Sequence, residues 1–133
     1  MIVADSSAIA ALILKEPGWE KLATRLSKAV STELAVKEVI NAVIIAWQQG
    51  RINKEELKLK LEALKLLIDK NIKIIPQTKL ITEATEIAIN NNITIYDAIF
   101  ISLAKTQNLP LLTKDKKQHE TATKLGIPTT LIK

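Results

Sequence analysis

The 133-residue sequence contains no cysteine, which excludes disulfides, thiolate-bound metals and cysteine nucleophiles together. Histidine occurs once, at His119, so a histidine-rich zinc site and a paired-histidine mechanism are excluded as well. No Gly-x-Ser-x-Gly elbow accompanies that histidine, which leaves a serine-nucleophile triad without its usual scaffold. Aromatic residues make up only 3% of the chain (Trp19, Trp47, Tyr96 and Phe100), so the core must be aliphatic. Long apolar runs are missing too. The opening from Met1 to Leu14 is interrupted by Asp5 and lacks a positively charged leader, so neither a membrane span nor a secretory signal is expected. The expected location is the cytoplasm. Any chemistry must rest on carboxylates and backbone groups.

What is present is 47% hydrophobic and 25% charged sequence, of a length that suits one domain over residues 1–133. Nineteen Lys and Arg against 14 Asp and Glu give a net charge of +5. That excess points towards a polyanionic partner, although a lysine-rich solvated surface accounts for it equally well.

With only 3 Gly and 4 Pro, punctuation is sparse but well placed. Ile2-Val3-Ala4 predicts a short strand, and Ala8 to Leu14 a helix closed by Glu16-Pro17-Gly18. Trp19 to Ser27 predicts a second helix and Ala29-Val30-Ser31 a strand. Thr32 opens a long helix to about Gln49, with Gly50 placed to end it. Asn53 and Glu56 form a capping-box pattern ahead of a helix that carries Leu57, Leu61, Leu64 and Ile68 on one side. Ile72 to Ile75 predicts a strand, and Thr78 to Asn90 a helix before the Asn90-Asn91-Asn92 loop. A helix from Ile95 to Lys105, a strand at Leu111-Leu112-Thr113, a helix from Asp115 to Leu125 and a strand from Thr129 to Ile132 complete the chain. Short apolar strands alternating with helices predict an α/β fold with a parallel sheet covered on both faces. Functional groups in such sheets collect at the carboxyl ends of the strands.

Four acids stand out by position. Asp5 and Asp115 each follow a strand, where a helix N-cap is their structural explanation. Glu38 lies in a helix that is apolar on nearly every side, sharing a narrow stripe with Leu34, Asn41 and Ile45. A lone buried charge costs several kcal/mol, so Glu38 is expected to be paired, protonated or bound to a cation. Asp97 sits within Ile95-Tyr96-Asp97-Ala98-Ile99, where the helix dipole offers the plainer account. Jointly the four read as a carboxylate cluster whose mutual repulsion raises the proton affinity of at least one member. With oxygen ligands alone, Mg²⁺ or Mn²⁺ is selected over zinc, as suits phosphodiester hydrolysis.

The segments Met1-Ile2-Val3-Ala4-Asp5-Ser6-Ser7-Ala8, Leu34 to Ala42, Tyr96-Asp97-Ala98 and Leu111 to Asp115, in that order, resemble the PIN-domain family, and its VapC-type toxin ribonucleases in particular. The resemblance implies a three-layer fold, a central parallel β-sheet flanked by helices. It implies Asp5, Glu38, Asp97 and Asp115 as catalytic and metal-binding residues, with Ser7, Asn41 and Thr113 in support. Asn41 is expected to hold the Glu38 carboxylate or a metal-bound water. Lys114, Lys116 and Lys117 flank the expected pocket as RNA phosphate contacts, or else as a solvated helix start. The implied activity is Mg²⁺-dependent endoribonucleolytic cleavage (Mn²⁺ also suits the ligands), with RNA as substrate, a cognate antitoxin as partner and a homodimer as assembly. A housekeeping PIN nuclease in RNA processing and a non-catalytic protein-interaction module stand as the alternatives.

Overall fold

Five short segments rich in aliphatic residues build the sheet, and the computed structural model describes all residues, 1–133. They are β1 (Ile2–Ala4), β2 (Ala29–Thr32), β3 (Ile72–Ile75), β4 (Leu111–Thr113) and β5 (Thr129–Leu131). All pairings are parallel, in the order β3-β2-β1-β4-β5. Because β1, β2 and β4 are buried at every position, they carry no alternation of apolar and polar residues. From β1 the chain steps to β2 and β3 on one side, then crosses to β4 and β5 on the other. The reversal places a topological switch point between β1 and β4.

Seven helices flank the sheet: α1 (Ser6–Ile13), α2 (Trp19–Arg25), α3 (Glu33–Gln48), α4 (Lys54–Lys70), α5 (Ile81–Asn91), α6 (Ile95–Gln107) and α7 (Lys116–Lys124). Helix α1 packs on β1 and β4 with α2 and α3 beside it, and α4 covers α3 and β3. Helix α6 crosses β1, β2 and β4, with α5 and α7 alongside. Seven consecutive residues of α6, Ala98 to Ala104, are buried, which explains why its sequence offers almost no polar face. The core joins these residues to Val3, Val30, Leu111 and Leu112, all fully buried.

Local signals set most boundaries. The capping box of α4 forms, with Asn53 Oδ1 accepting from the Glu56 N–H at 2.8 Å and Glu56 Oε1 from the Asn53 N–H at 3.0 Å. Asn92 and Asn108 end α5 and α6 in left-handed conformations (φ 53° and 54°), which asparagine tolerates better than most residues. The helix expected from Thr78 begins instead at Ile81. Glu33 draws the Gln77 N–H into a bond of 2.8 Å, and the chain makes one 3₁₀ turn, Gln77–Lys79, before α5 starts.

The stripe expected to bury Glu38 is not the covered one. Helix α3 buries Ala35, Val39, Val43 and Ala46, which leaves Leu34 and Glu38 half-buried and Asn41 and Ile45 exposed. With apolar residues on nearly every side of this helix, its sequence did not specify which face the sheet would take.

Candidate active site

Asp5 stands where β1 ends and α1 begins, at the switch point. It caps α1 as its plain explanation required: Oδ1 accepts from the Ala8 N–H at 3.0 Å. Yet the residue is only 3% exposed, and three further donors converge on it. The Ser7 hydroxyl donates to Oδ1 at 2.7 Å, while the Thr113 hydroxyl and Gln118 Nε2 (3.0 Å) donate to Oδ2. Both hydroxyls also accept: Ser7 Oγ from the Lys114 N–H at 2.8 Å, and Thr113 Oγ1 from the Asp115 N–H at 2.9 Å. Asp5 is thus locked from β1, α1, β4 and α7 at once.

Hydrogen bonds from Thr113, Ser7 and Ala8 favour the ionised carboxylate, but burial outweighs them. The Asp5 pKa is raised from 3.8 to about 6, with removal from water as the largest cause and the nearby Asp115 charge adding a smaller push. The expected rise in proton affinity is present, although burial rather than mutual repulsion is its main source.

Asp115 caps α7, accepting from the Gln118 N–H at 3.1 Å. Asp97 lies in the first turn of α6, its N–H donating to the N-cap Thr94 at 3.2 Å. Its pKa is also raised, first by burial and then by the charge of Asp115, with Glu38 contributing less and Lys117 acting in the opposite direction. Glu38 reaches across from α3, where the Ser6 hydroxyl donates to Oε1. The four acids therefore form an electrostatic chain: Asp5 and Asp97 both feel Asp115, and Asp97 also feels Glu38.

None of the four is in a salt bridge. This is the donor set a hard divalent cation takes: oxygen ligands carrying uncompensated negative charge. The side chains fit Mg²⁺ or Mn²⁺ in kind, though no three acids converge closely enough to form a ready-made cage.

Other expected contributors divide. Ser7 and Thr113 are in place on Asp5. Asn41 is not: it is exposed and its side chain bonds neither Glu38 nor any other group, and Ser6 holds Glu38 in its stead. Lys114 pairs with Glu16 at 3.1 Å, so its charge is partly committed. Lys116 and Lys117 remain exposed at the start of α7, Lys117 with its field on Asp97.

Two residues escaped the sequence reading. Ser6 carried no signal of its own, because its partner Glu38 lies 32 positions away. Gln118, only 2% exposed, had a visible signal in Asp115-Lys116-Lys117-Gln118, which fits a capping box. In such a box Gln118 would reach back to its own N-cap, whereas here it reaches to Asp5.

Known proteins give the same outline. Ribonuclease VapC3 of Pyrobaculum aerophilum is 30% identical over 122 residues, covering 90% of this chain and 92% of that one. The fold is shared with PAE2754 from Pyrobaculum aerophilum, whose crystal structure aligns over 96% of this chain and 82% of its own (TM-score 0.72, 23% identity). It is shared too with VapBC2 of Rickettsia felis, bound to a DNA fragment from their promoter, over the full length of both chains (TM-score 0.68, 16% identity). The PIN domain family matches residues 2–124, a span that contains all four acids and every side chain that holds Asp5, and the chain belongs to that family.

Proposed function

We propose that this protein is a divalent-metal-dependent endoribonuclease acting as the toxin of a toxin–antitoxin pair. The observation that carries the reading is the set of four carboxylates at the switch point, within reach of one another's fields and without a salt bridge among them. The relative named a ribonuclease supports the activity, and the likeness to VapBC2 and to FitAcB of Neisseria gonorrhoeae supports a partner of antitoxin type. Large apolar side chains left exposed at Leu59, Leu66 and Ile89 leave surface for such a partner or for a second copy of the chain.

Asp5, Asp97 and Asp115 would hold Mg²⁺ or Mn²⁺, with Glu38 completing the set. When bound, the ion supplies charge neutralisation at the scissile phosphate and a lowered pKa for attacking water. Asp5 offers its oxygens in a fixed orientation, because Ser7, Thr113, Ala8 and Gln118 hold it. Glu38 has one oxygen on Ser6 and the other without a partner, which suits it to accept a proton from the attacking water. Lys116 and Lys117 are placed to draw the substrate phosphates towards the acids.

Cleavage of RNA by the purified chain should require Mg²⁺ or Mn²⁺ and stop in EDTA. Full activity in EDTA would overturn the reading. Expression alone should arrest growth, and Asp97→Asn should relieve the arrest while accumulating folded; identical growth effects from the two would remove the toxin assignment and leave the nuclease.

A further inference from the structure

Away from the acids lie three hollows, one beside the carboxyl half of the outer strand β5 and two along the amino-terminal ends of β4, β1, β2 and β3. The first, about 270 Å³ beside β5, is lined by Lys21, Arg25 and Lys133. A second of about 400 Å³ shares Arg25 with it and adds Lys28. The third, about 650 Å³, shares Met1, Ser27 and Lys28 with the second and adds Lys70 and Lys73 at β3. The second and third, with three residues in common, form one groove along this edge, which the first meets only at Arg25.

Six basic side chains line the three hollows, against a single side-chain carboxylate, Asp69. All six are exposed, and none is in a salt bridge. Local explanations cover only half of them. Arg25 and Lys70 occupy the last turns of α2 and α4, where a cation offsets the helix dipole, and Lys73 sits on an edge strand that a charge protects from mispairing. Lys21, Lys28 and Lys133 serve neither purpose.

We infer that this groove binds the phosphate backbone of RNA, giving the substrate a second contact remote from the acids. The inference rests on the ribonuclease reading. The four strands β3, β2, β1 and β4, at a spacing of about 4.8 Å, make this edge about 14 Å wide. At about 3.4 Å per nucleotide of stacked strand, that width spans about four phosphates, in scale with Arg25, Lys28, Lys70 and Lys73. A membrane surface fits less well, since Met1 is the one large apolar side chain exposed within the groove. The contact is to backbone, so it favours long RNA without choosing its sequence.

The test measures binding of an RNA of about 40 nucleotides across a salt series, in an Asp97→Asn background that keeps the RNA intact. Lys28→Gln/Lys70→Gln/Lys73→Gln is compared with Lys58→Gln/Lys79→Gln/Lys124→Gln, which removes equal charge from elsewhere on the surface. The groove variant should bind at least about tenfold more weakly, with the slope of log K against log salt reduced by about 2, at about 0.7 per lost single-strand contact. The other triple variant should lie within about twofold of its parent, and thermal melts should show all three proteins folded. Equal losses in both triple variants, or an unchanged slope, would overturn the groove. So would unchanged RNA binding with lost binding to phosphatidylserine-containing vesicles. If the wild-type chain neither binds nor cleaves RNA, the ribonuclease reading fails first; if it cleaves RNA while the groove variant binds normally, only the groove falls.

Discussion

The two ends of the sheet handle charge in opposite ways. At the carboxyl ends, Asp5 is buried with four hydrogen-bond donors, and its neighbouring acids are fixed by Ser6, Thr94 and the start of α7. At the amino ends, lysines stand exposed without ion-pair partners. The first arrangement expends burial and hydrogen bonds on the position of each charge; the second uses only its sign. A change at the carboxyl edge should therefore alter catalytic rate, and folding too where it touches the buried Asp5, whereas a change at the amino edge should alter affinity and salt dependence alone.

The largest contrast should come from Asp97→Asn. Losing one carboxylate of the site should lower RNA cleavage by about 100-fold or more with folding intact, measured as single-turnover rate beside a thermal melt. A loss below tenfold would place Asp97 outside the chemistry.

Gln118→Ala should come next. It withdraws one donor from the buried Asp5 carboxylate, and loss of such a supporting contact should reduce metal affinity or activity by about 10- to 100-fold. Folding stability should fall by about 1–3 kcal/mol, because a buried polar group loses its partner. Unchanged activity in a variant of reduced stability would make Gln118 a packing residue only.

The raised pKa of Asp5 supplies a third test, in metal-free protein. Its folded-state pKa of about 6 exceeds the ordinary value of 3.8, so between those values the unfolded chain binds fewer protons than the folded one. Stability gained from the protonated form is present below about pH 4 and lost as pH rises through about 6. Relative to Asp5→Asn, the wild type should lose up to about 3 kcal/mol across that window, read from urea unfolding at a series of pH values. The slope carries the information, since the Asn amide also meets donors and shifts the whole curve. Parallel curves would show that Asp5 titrates normally.

The smallest expected effect tests the separation between site and scaffold. Asn53→Ala breaks the capping box of α4 and should cost about 1 kcal/mol with no change in cleavage or in RNA affinity. Any change in activity would mean that α4 is coupled to the acids.

Much of this organisation was legible in the sequence, because it is written in local signals. Apolar runs ending at Asp5 and Thr113 marked β1 and β4, Asn53 with Glu56 marked the start of α4, and the asparagine loop marked the end of α5. Glu38 and Asp97 were visible as charges in apolar helical turns, and Asp5 and Asp115 as acids at strand ends. Sequence also limited what a metal could meet: without cysteine and with one histidine, the available side-chain ligands are almost all oxygens.

What tertiary structure decided is which groups meet. Side chains 106 to 113 positions apart carry no mutual sequence signal, so the Ser7–Thr113 proximity and the Gln118–Asp5 bond appear only once β1 and β4 pair. The buried face of α3 was likewise undetermined, since a helix apolar on most sides can present any of them. That choice fell to the packing of α1 and β2, and it moved Asn41 into solvent and brought Glu38 to Ser6. The pKa of Asp5 was decided in the same way. Sequence supplied the carboxylate and its neighbours, but only the assembled sheet removed it from water, and desolvation exceeds the combined pull of the Thr113, Ser7 and Ala8 donors.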